Sequence, residues 1–289
     1  MIEHTTCEGQ ACAQLHGTTP TVLVFAVHPV AADATHKTSP VTTTVAVIPV
    51  RYNSTRLPGK PLADIAGQTM IERVYRRAER AQFVDNVIVA TDDNRIADTV
   101  TEFGGQVQLT RSDHLTGSDR LAEVAASLTC DNLVNVQGDE PLLDPRLIDS
   151  VLDCLLTDPT TNIATARCPI TRRSELTNPN VVKVVVTADN YALYFSRSPI
   201  PHQDKESIHS EGILGYKHIG LYAYRRTTLL ELGRLQPTPL ERTERLEQLR
   251  ALQYGYRIAT VETDTVAIGV DTVEDLEEVR RLILTGANE

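Results

Sequence analysis

The chain has 289 residues, 28 Lys and Arg against 38 Asp and Glu, a formal net charge of −10 and no Trp. That length suits one large α/β domain or two small ones. The acidic balance argues against a binder of extended nucleic acid, because no basic surplus is available to neutralise a phosphate backbone. A single nucleotide needs only a few cations and stays open. No apolar run approaches the ~20 residues of a membrane span. The apolar stretch at 22–27 follows a segment without Lys or Arg, so a secretory leader is not expected there. Five cysteines (Cys7, Cys12, Cys130, Cys154, Cys168) are odd in number and scattered, as in a reduced, cytoplasmic protein. Cys7 and Cys12 lie near His4 and His16, but no second pair stands at finger-like spacing, so a metal site there is not expected.

Residues 1–43 are rich in Thr, Ala and His, contain Pro20, Pro29 and Pro40, and show no periodicity; they read as an unstructured tail. From residue 44 strands and helices alternate. The apolar, β-branched run 44–50 predicts a strand buried on both faces. Ile71, Val74, Tyr75 and Ala78 predict a helix over 70–81. A buried strand at 86–91, a helix over 94–103 and a short strand at 106–109 follow. Ser118 is the expected cap of a helix that buries Leu121, Val124, Ala125 and Leu128. A strand at 131–136 precedes Asp144-Pro145, a cap and first-turn proline in the favoured order. Four strand–helix units in series predict a parallel, doubly wound sheet flanked by helices.

The pattern then changes. Runs at 162–169, 181–187, 191–196 and 217–224 predict an antiparallel insertion around 162–225. A helix over 240–253, a strand at 257–261 and an amphipathic helix over 272–284 return to the α/β mode. With no repeat or low-complexity linker inside 44–289, the expectation is one domain with an embedded smaller lobe.

The chemistry concentrates at strand ends, where open α/β sheets bind ligands. The first strand runs into Arg51-Tyr52-Asn53-Ser54-Thr55-Arg56-Leu57-Pro58-Gly59-Lys60-Pro61, a cationic, rigid loop able to surround a triphosphate, although no Walker pattern occurs. The fourth strand ends in Gln137-Gly138-Asp139-Glu140, and a carboxylate there suits Mg²⁺, which takes one or two protein carboxylates plus substrate phosphates. Asp271 also sits between a strand and a helix; with Thr272 it reads as a helix cap. The face shared by Glu241, Glu244 and Gln248 reads as solvated. Tyr222 and Tyr224 read as strand packing residues, and His218 as a structural hydrogen-bonding histidine.

Taken together, several motifs carry a resemblance. R-x-x-S-T-R-L-P-x-K-P-L at 51–62, A-T-D at 90–92, T-G-S-D-R-L-A-E at 116–123, N-V-Q-G-D-E-P at 135–141, N-P-N-x-V-K at 178–183, A-L-Y-F-S-R at 192–197, H-I-G-L-Y-A-Y-R at 218–225, L-E-Q-L-R at 246–250 and G-V-D-T-x-E-D-L at 269–276 occur in one order. In this the chain resembles the 3-deoxy-manno-octulosonate cytidylyltransferases, or CMP-Kdo synthetases, over about residues 44–284. The resemblance implies a nucleotidyltransferase fold, with its smaller antiparallel lobe used to form a homodimer. It implies transfer of CMP from CTP to 3-deoxy-manno-octulosonate (Kdo), with Mg²⁺ as cofactor, for lipopolysaccharide or related surface-polysaccharide synthesis. It also implies roles. Arg51, Ser54 and Lys60 hold the CTP phosphates, and Arg111 and Ser118 face the cytidine. Asp139 and Asp271 bind metal, with Gln137 between sugar and metal. Arg56, Arg197, His218, Tyr222, Glu247 and Gln248 line the sugar-acid pocket. The catalytic set is then Lys60, Arg51, Asp139 and Asp271. Departures from the pattern are Val50 where Ala is usual, Ser118-Asp119 for Thr-Glu, and His202-Gln203-Asp204 without an aromatic. The alternatives are an 8-amino-Kdo or sialic-acid-like substrate, or a nucleotide-binding protein without catalysis.

Overall fold

A computed structural model describes residues 42–54, 56–114, 116–203, 212–265 and 268–286. The tail expected at 1–43 therefore lies outside the described residues, apart from Thr42 and Thr43. β1 (Thr44–Pro49) is buried on both faces, as its unbroken apolar run demands. A 3₁₀ turn at Lys60–Leu62 leads to a hairpin of β2 (Asp64–Ile65) and β3 (Gln68–Thr69). Thr69 accepts a hydrogen bond from the Glu72 amide and so caps α1 (Met70–Ala78). α1 stops short of residue 81 because the amide of Arg80 bonds the Arg77 carbonyl, tightening the last turn out of α geometry.

β4 (Asn86–Thr91), α2 (Asn94–Glu102) and β5 (Gln106–Leu109) follow as expected. α3 (Gly117–Ser127) differs at its start. Thr116, not Ser118, is the cap, in a reciprocal capping box with Asp119, and Ser118 lies inside the first turn. β6 (Asn132–Asn135) and α4 (Pro145–Thr157), capped by Asp144, complete the four units. β6, β1, β4 and β5 pair in parallel in that order. Helices cover both faces, with α1, α2 and α4 on one and α3 on the other.

The second half departs further. β7 (Ile163–Ile170), α5 (Arg173–Thr177), β8 (Lys183–Val186), β9 (Ala192–Ser196) and β10 (Gly215–Arg225) do not make a separate sheet. Among the described residues nine strands form one sheet, ordered β11-β7-β10-β6-β1-β4-β5 once β11 (Ile258–Glu262) is counted, with β8 and β9 branching from β10. β10 runs antiparallel between β6 and β7, and only β8 and β9 lie off the main strand order. Its register slips between Ile219 and Tyr222, a bulge where it passes from β8 to β6.

α6 (Arg226–Leu232), α7 (Pro239–Glu244) and α8 (Gln248–Gln253) precede β11, and α9 (Val273–Leu284) ends the described fold. The helix expected over 240–253 is thus two. Arg245 adopts φ 54°, ψ 49°, and Arg197 donates from Nε to the Glu244 carbonyl at 2.9 Å, taking an acceptor a continuous helix would have used. The face expected to be solvated is not. Glu241 is buried against Arg250, and Glu244 accepts from Ser196 Oγ at 2.6 Å and the Arg197 amide at 2.9 Å.

Candidate active site

Lys60 is the centre of a charged junction drawn from three distant segments. Gly59, at φ 70° and ψ 18°, turns the loop in the left-handed region, and the 3₁₀ turn then aims Lys60 inward. Its Nζ lies 2.7 Å from Asp139 Oδ2 and 3.1 Å from Asp271 Oδ1, and donates to the Val270 carbonyl at 2.8 Å. Arg56 adds a contact of 3.0 Å to Asp271 Oδ1. The Val270 amide donates to the Asp139 carbonyl at 2.9 Å, which ties the two acidic segments together.

Asp271 does not act as the cap of α9. Thr272 does that, and Asp275 Oδ2 accepts from the amides of both Asp271 and Thr272. The Asp271 carboxylate is released toward the cations. Gly138 is required by close approach, since a Cβ there would stand 2.2 Å from Val50 Cγ1. The extra bulk of Val50 therefore packs against this glycine. Next along the chain, burial and the neighbouring Asp139 push the Glu140 carboxyl up to about 7, and its Oε2 is buried without a partner. Among the described residues no group of three or more His, Cys, Asp or Glu is arranged to hold a metal. Two carboxylates that share one cation do match the donor set of Mg²⁺, which completes its shell with phosphate and water oxygens.

Beside this junction, beyond the carboxyl ends of β1 and β6, opens a cleft of about 350 Å³. Ser118, Asn135, Gln137, Tyr222, Tyr224, Glu247 and Gln248 line it. Gln137 donates from Nε2 to the Gly220 carbonyl at 2.9 Å, so the end of β6 fastens the bulge of β10. The rings of Tyr222 and Tyr224 stack with centroids 5.7 Å apart. Burial raises the Glu247 carboxyl, while the hydroxyls of Ser118 and Thr116 act in the opposite direction.

His218 lies against Phe195 and Tyr222, with ring centroids 5.1 Å from each. Its Nε2 is 3.0 Å from Thr165 Oγ1, which also lies 2.8 Å from the Leu221 carbonyl and 3.1 Å from that of Ile219. A hydroxyl has one proton, and both carbonyls can only accept. The proton goes to a carbonyl, so His218 Nε2–H donates to Thr165. Burial lowers the imidazole to about 3, which keeps it neutral.

The expected site residues fall into groups. Arg56, Lys60, Asp139 and Asp271 meet at the junction; Ser118, Gln137, Tyr222, Glu247 and Gln248 meet in the cleft; Gln137-Gly138-Asp139 connects the two. Arg51 is exposed on the loop after β1 and donates to the His114 carbonyl at 2.6 Å, while Ser54 Oγ accepts from the Leu57 amide at 3.3 Å. Arg111 is turned outward onto Asp113 at 2.9 Å. Arg197 is committed to the carbonyls of Pro179 and Glu244 and holds the α7–α8 bend. Asn135, Glu140 and Thr165 were not foreseen. Asn135 had a signal: it stands two residues before Gln137, so the two polar side chains share one face at the end of β6.

Residues 45–258 match the cytidylyltransferase family. A 3-deoxy-manno-octulosonate cytidylyltransferase of Syntrophotalea carbinolica is 54% identical over 239 residues, covering 81% of this chain and 96% of the relative. That of Geobacter sulfurreducens is 52% identical over 241 residues, with the same coverage. The structure of CMP:2-keto-3-deoxy-manno-octonic acid synthetase complexed with CTP superposes with a TM-score of 0.80 at 44% identity, covering 85% of this chain and all of that one. A 4-diphosphocytidyl-2C-methyl-D-erythritol synthase from Anaerococcus prevotii shares the fold alone, with a TM-score of 0.56 at 13% identity.

Proposed function

This chain belongs to the 3-deoxy-manno-octulosonate cytidylyltransferase family, and on that premise we propose that it transfers CMP from CTP to the anomeric hydroxyl of Kdo, releasing pyrophosphate. The observation that carries the reading is the Lys60–Asp139–Asp271 junction beside a polar cleft. The sugar hydroxyl attacks the α-phosphorus and pyrophosphate departs on the opposite side. Charge gathers on phosphate oxygens, so catalysis is chiefly positioning and electrostatic stabilisation. No covalent protein nucleophile is needed.

Arg51, Ser54 and Lys60 hold the triphosphate, with the Lys60 ammonium exchanging carboxylate partners for phosphate oxygens. Asp139 and Asp271 would hold Mg²⁺, which when bound would neutralise phosphate charge and lower the pKa of the attacking hydroxyl. Ser118 and Arg111 face the cytidine, and Arg111 must release Asp113 to do so. Gln137, Tyr222, Glu247 and Gln248, with Arg56, Arg197 and His218, form the side that takes the sugar acid. His218 is neutral in this arrangement and offers no cation to the carboxylate.

We further propose that the enzyme works in the cytoplasm as a homodimer and supplies lipopolysaccharide or a related surface polysaccharide. Leu193 on β9, 59% exposed, and Ile213 before β10, 55% exposed, support an interface on the antiparallel extension. Among the described residues no helix is long and apolar enough to cross a membrane.

The test is to incubate the purified protein with CTP, Mg²⁺ and a panel of Kdo, 8-amino-Kdo and sialic acid, following pyrophosphate release. Release with Kdo is expected. Release only with another acid overturns the substrate, and no release with any acid leaves a nucleotide-binding protein without catalysis.

A further inference from the structure

Asn135 ends β6 at the floor of the cleft. It is 6% exposed, and its Oδ1 is buried without a hydrogen-bond partner. Its place is set by register: it pairs with Val47 of β1 on one side and Tyr222 of β10 on the other. The two-residue period puts its side chain on the face of Leu133 and Gln137, so it projects beside the Tyr222 ring.

A buried amide oxygen without a donor destabilises the fold that contains it, and native proteins keep few of them. Nothing around Asn135 relieves it. Gln137 Nε2 gives one of its protons to the Gly220 carbonyl and makes no hydrogen bond to Asn135. Glu247 takes the hydroxyl of Ser118. Arg250 is held by Glu241, in contacts of 2.5 and 2.9 Å. An acceptor left open at the base of a polar cleft calls for a ligand that brings a donor.

We propose that Asn135 is a substrate-binding residue whose Oδ1 accepts a hydrogen bond from a hydroxyl of the sugar acid. This rests on the reading above that the cleft takes the sugar. A polyhydroxylated acid supplies such a donor, and its carboxylate does not, so Asn135 recognises the sugar body and leaves the carboxylate to the arginines. The orphan acceptor is then a cost carried by the free enzyme and removed on binding.

The test uses Asn135→Leu, close in size and without the amide, and Asn135→Ala, which adds no bulk. Both should raise KM for Kdo about tenfold, the weight of roughly one lost hydrogen bond, with KM for CTP unchanged. Asn135→Leu should also melt at a higher temperature than wild type without ligand, because the unsatisfied group is gone. An amide with a merely structural role would lower the melting temperature and leave KM alone, which overturns the proposal. A rise in KM for CTP instead gives the cleft floor to the cytosine, and overturns it too. Wild-type turnover with Kdo is measured first: silence with every sugar acid defeats the cleft assignment beneath the proposal, whereas turnover with unchanged KM in both variants defeats only the role of Asn135.

Discussion

Lys60 places one ammonium where two carboxylates meet, and each of the three groups is costly to lose for its own reason. Asp139→Asn keeps the shape but halves the negative charge offered to a divalent cation. Turnover should fall by at least ~100-fold, the scale of removing one group that stabilises the transition state, with an unchanged circular dichroism spectrum; near-wild-type pyrophosphate release would mean the metal lies elsewhere. Histidine 218 gives a pH prediction of definite sign. Its folded value of about 3 lies below its ordinary value of 6.5. Between those limits the unfolded chain binds a proton that the folded one refuses, so stability is full above about 6.5 and falls as pH drops through the window. His218→Gln should flatten that fall in urea titrations at neutral and mildly acidic pH. An identical pH slope in the variant would show the ring is not held neutral. Asp271 illustrates what residues reveal unaided. Its neighbour Thr272 announces a helix cap, and only the position of Asp275 shows that the cap is complete without the Asp271 carboxylate.

Among the elements, β1 and β4 were legible to within a residue because burial on both faces leaves a nearly unbroken apolar run. The bend between α7 and α8 was not, because its cause is Arg197, some fifty positions earlier in the chain. The same distance hid the partners of the acidic face. Glu241 and Arg250 form a two-contact pair across the bend, with side chains 10% and 15% exposed. Glu241→Ala should cost roughly 3 kcal/mol in chemical denaturation, because it strands a buried guanidinium. Adding Arg250→Met should recover part of that loss. Strictly additive losses would mean that the two side chains do not act as a pair. The antiparallel strands around 162–225 were recognisable as strands, but their membership of the main sheet was not, since β10 pairs with three neighbours at once.

At the scale of the molecule, the relatives' full length is matched by about four-fifths of this chain. The described fold starts at a definite place. The Thr43 carbonyl accepts from the amides of Asp131 and Asn132, and the Thr44 amide donates to Asp85 Oδ2 at 2.8 Å. A chain beginning at Thr42 should therefore keep wild-type kcat, KM and melting temperature, whereas one beginning at Val45 should melt several degrees lower. Loss of activity in the longer of the two would give residues before 42 a part in the enzyme. Within an acidic chain, Arg56 and Lys60 of one loop gather against the Asp139–Asp271 carboxylate pair.

Lys60 meets Asp139 and Asp271 across separations of 79 and 211 positions. During synthesis the ribosome releases the cationic loop early, the first carboxylate midway and the second only after β11 has emerged. The parallel half of the sheet has the contacts to begin folding before then, but the pair of acids cannot close until residue 271 is made. An unfinished chain therefore displays a loop attractive to nucleotides without the means to use them. Catalytic competence waits for Asp271, a consequence of chain order alone in the assembly of this junction.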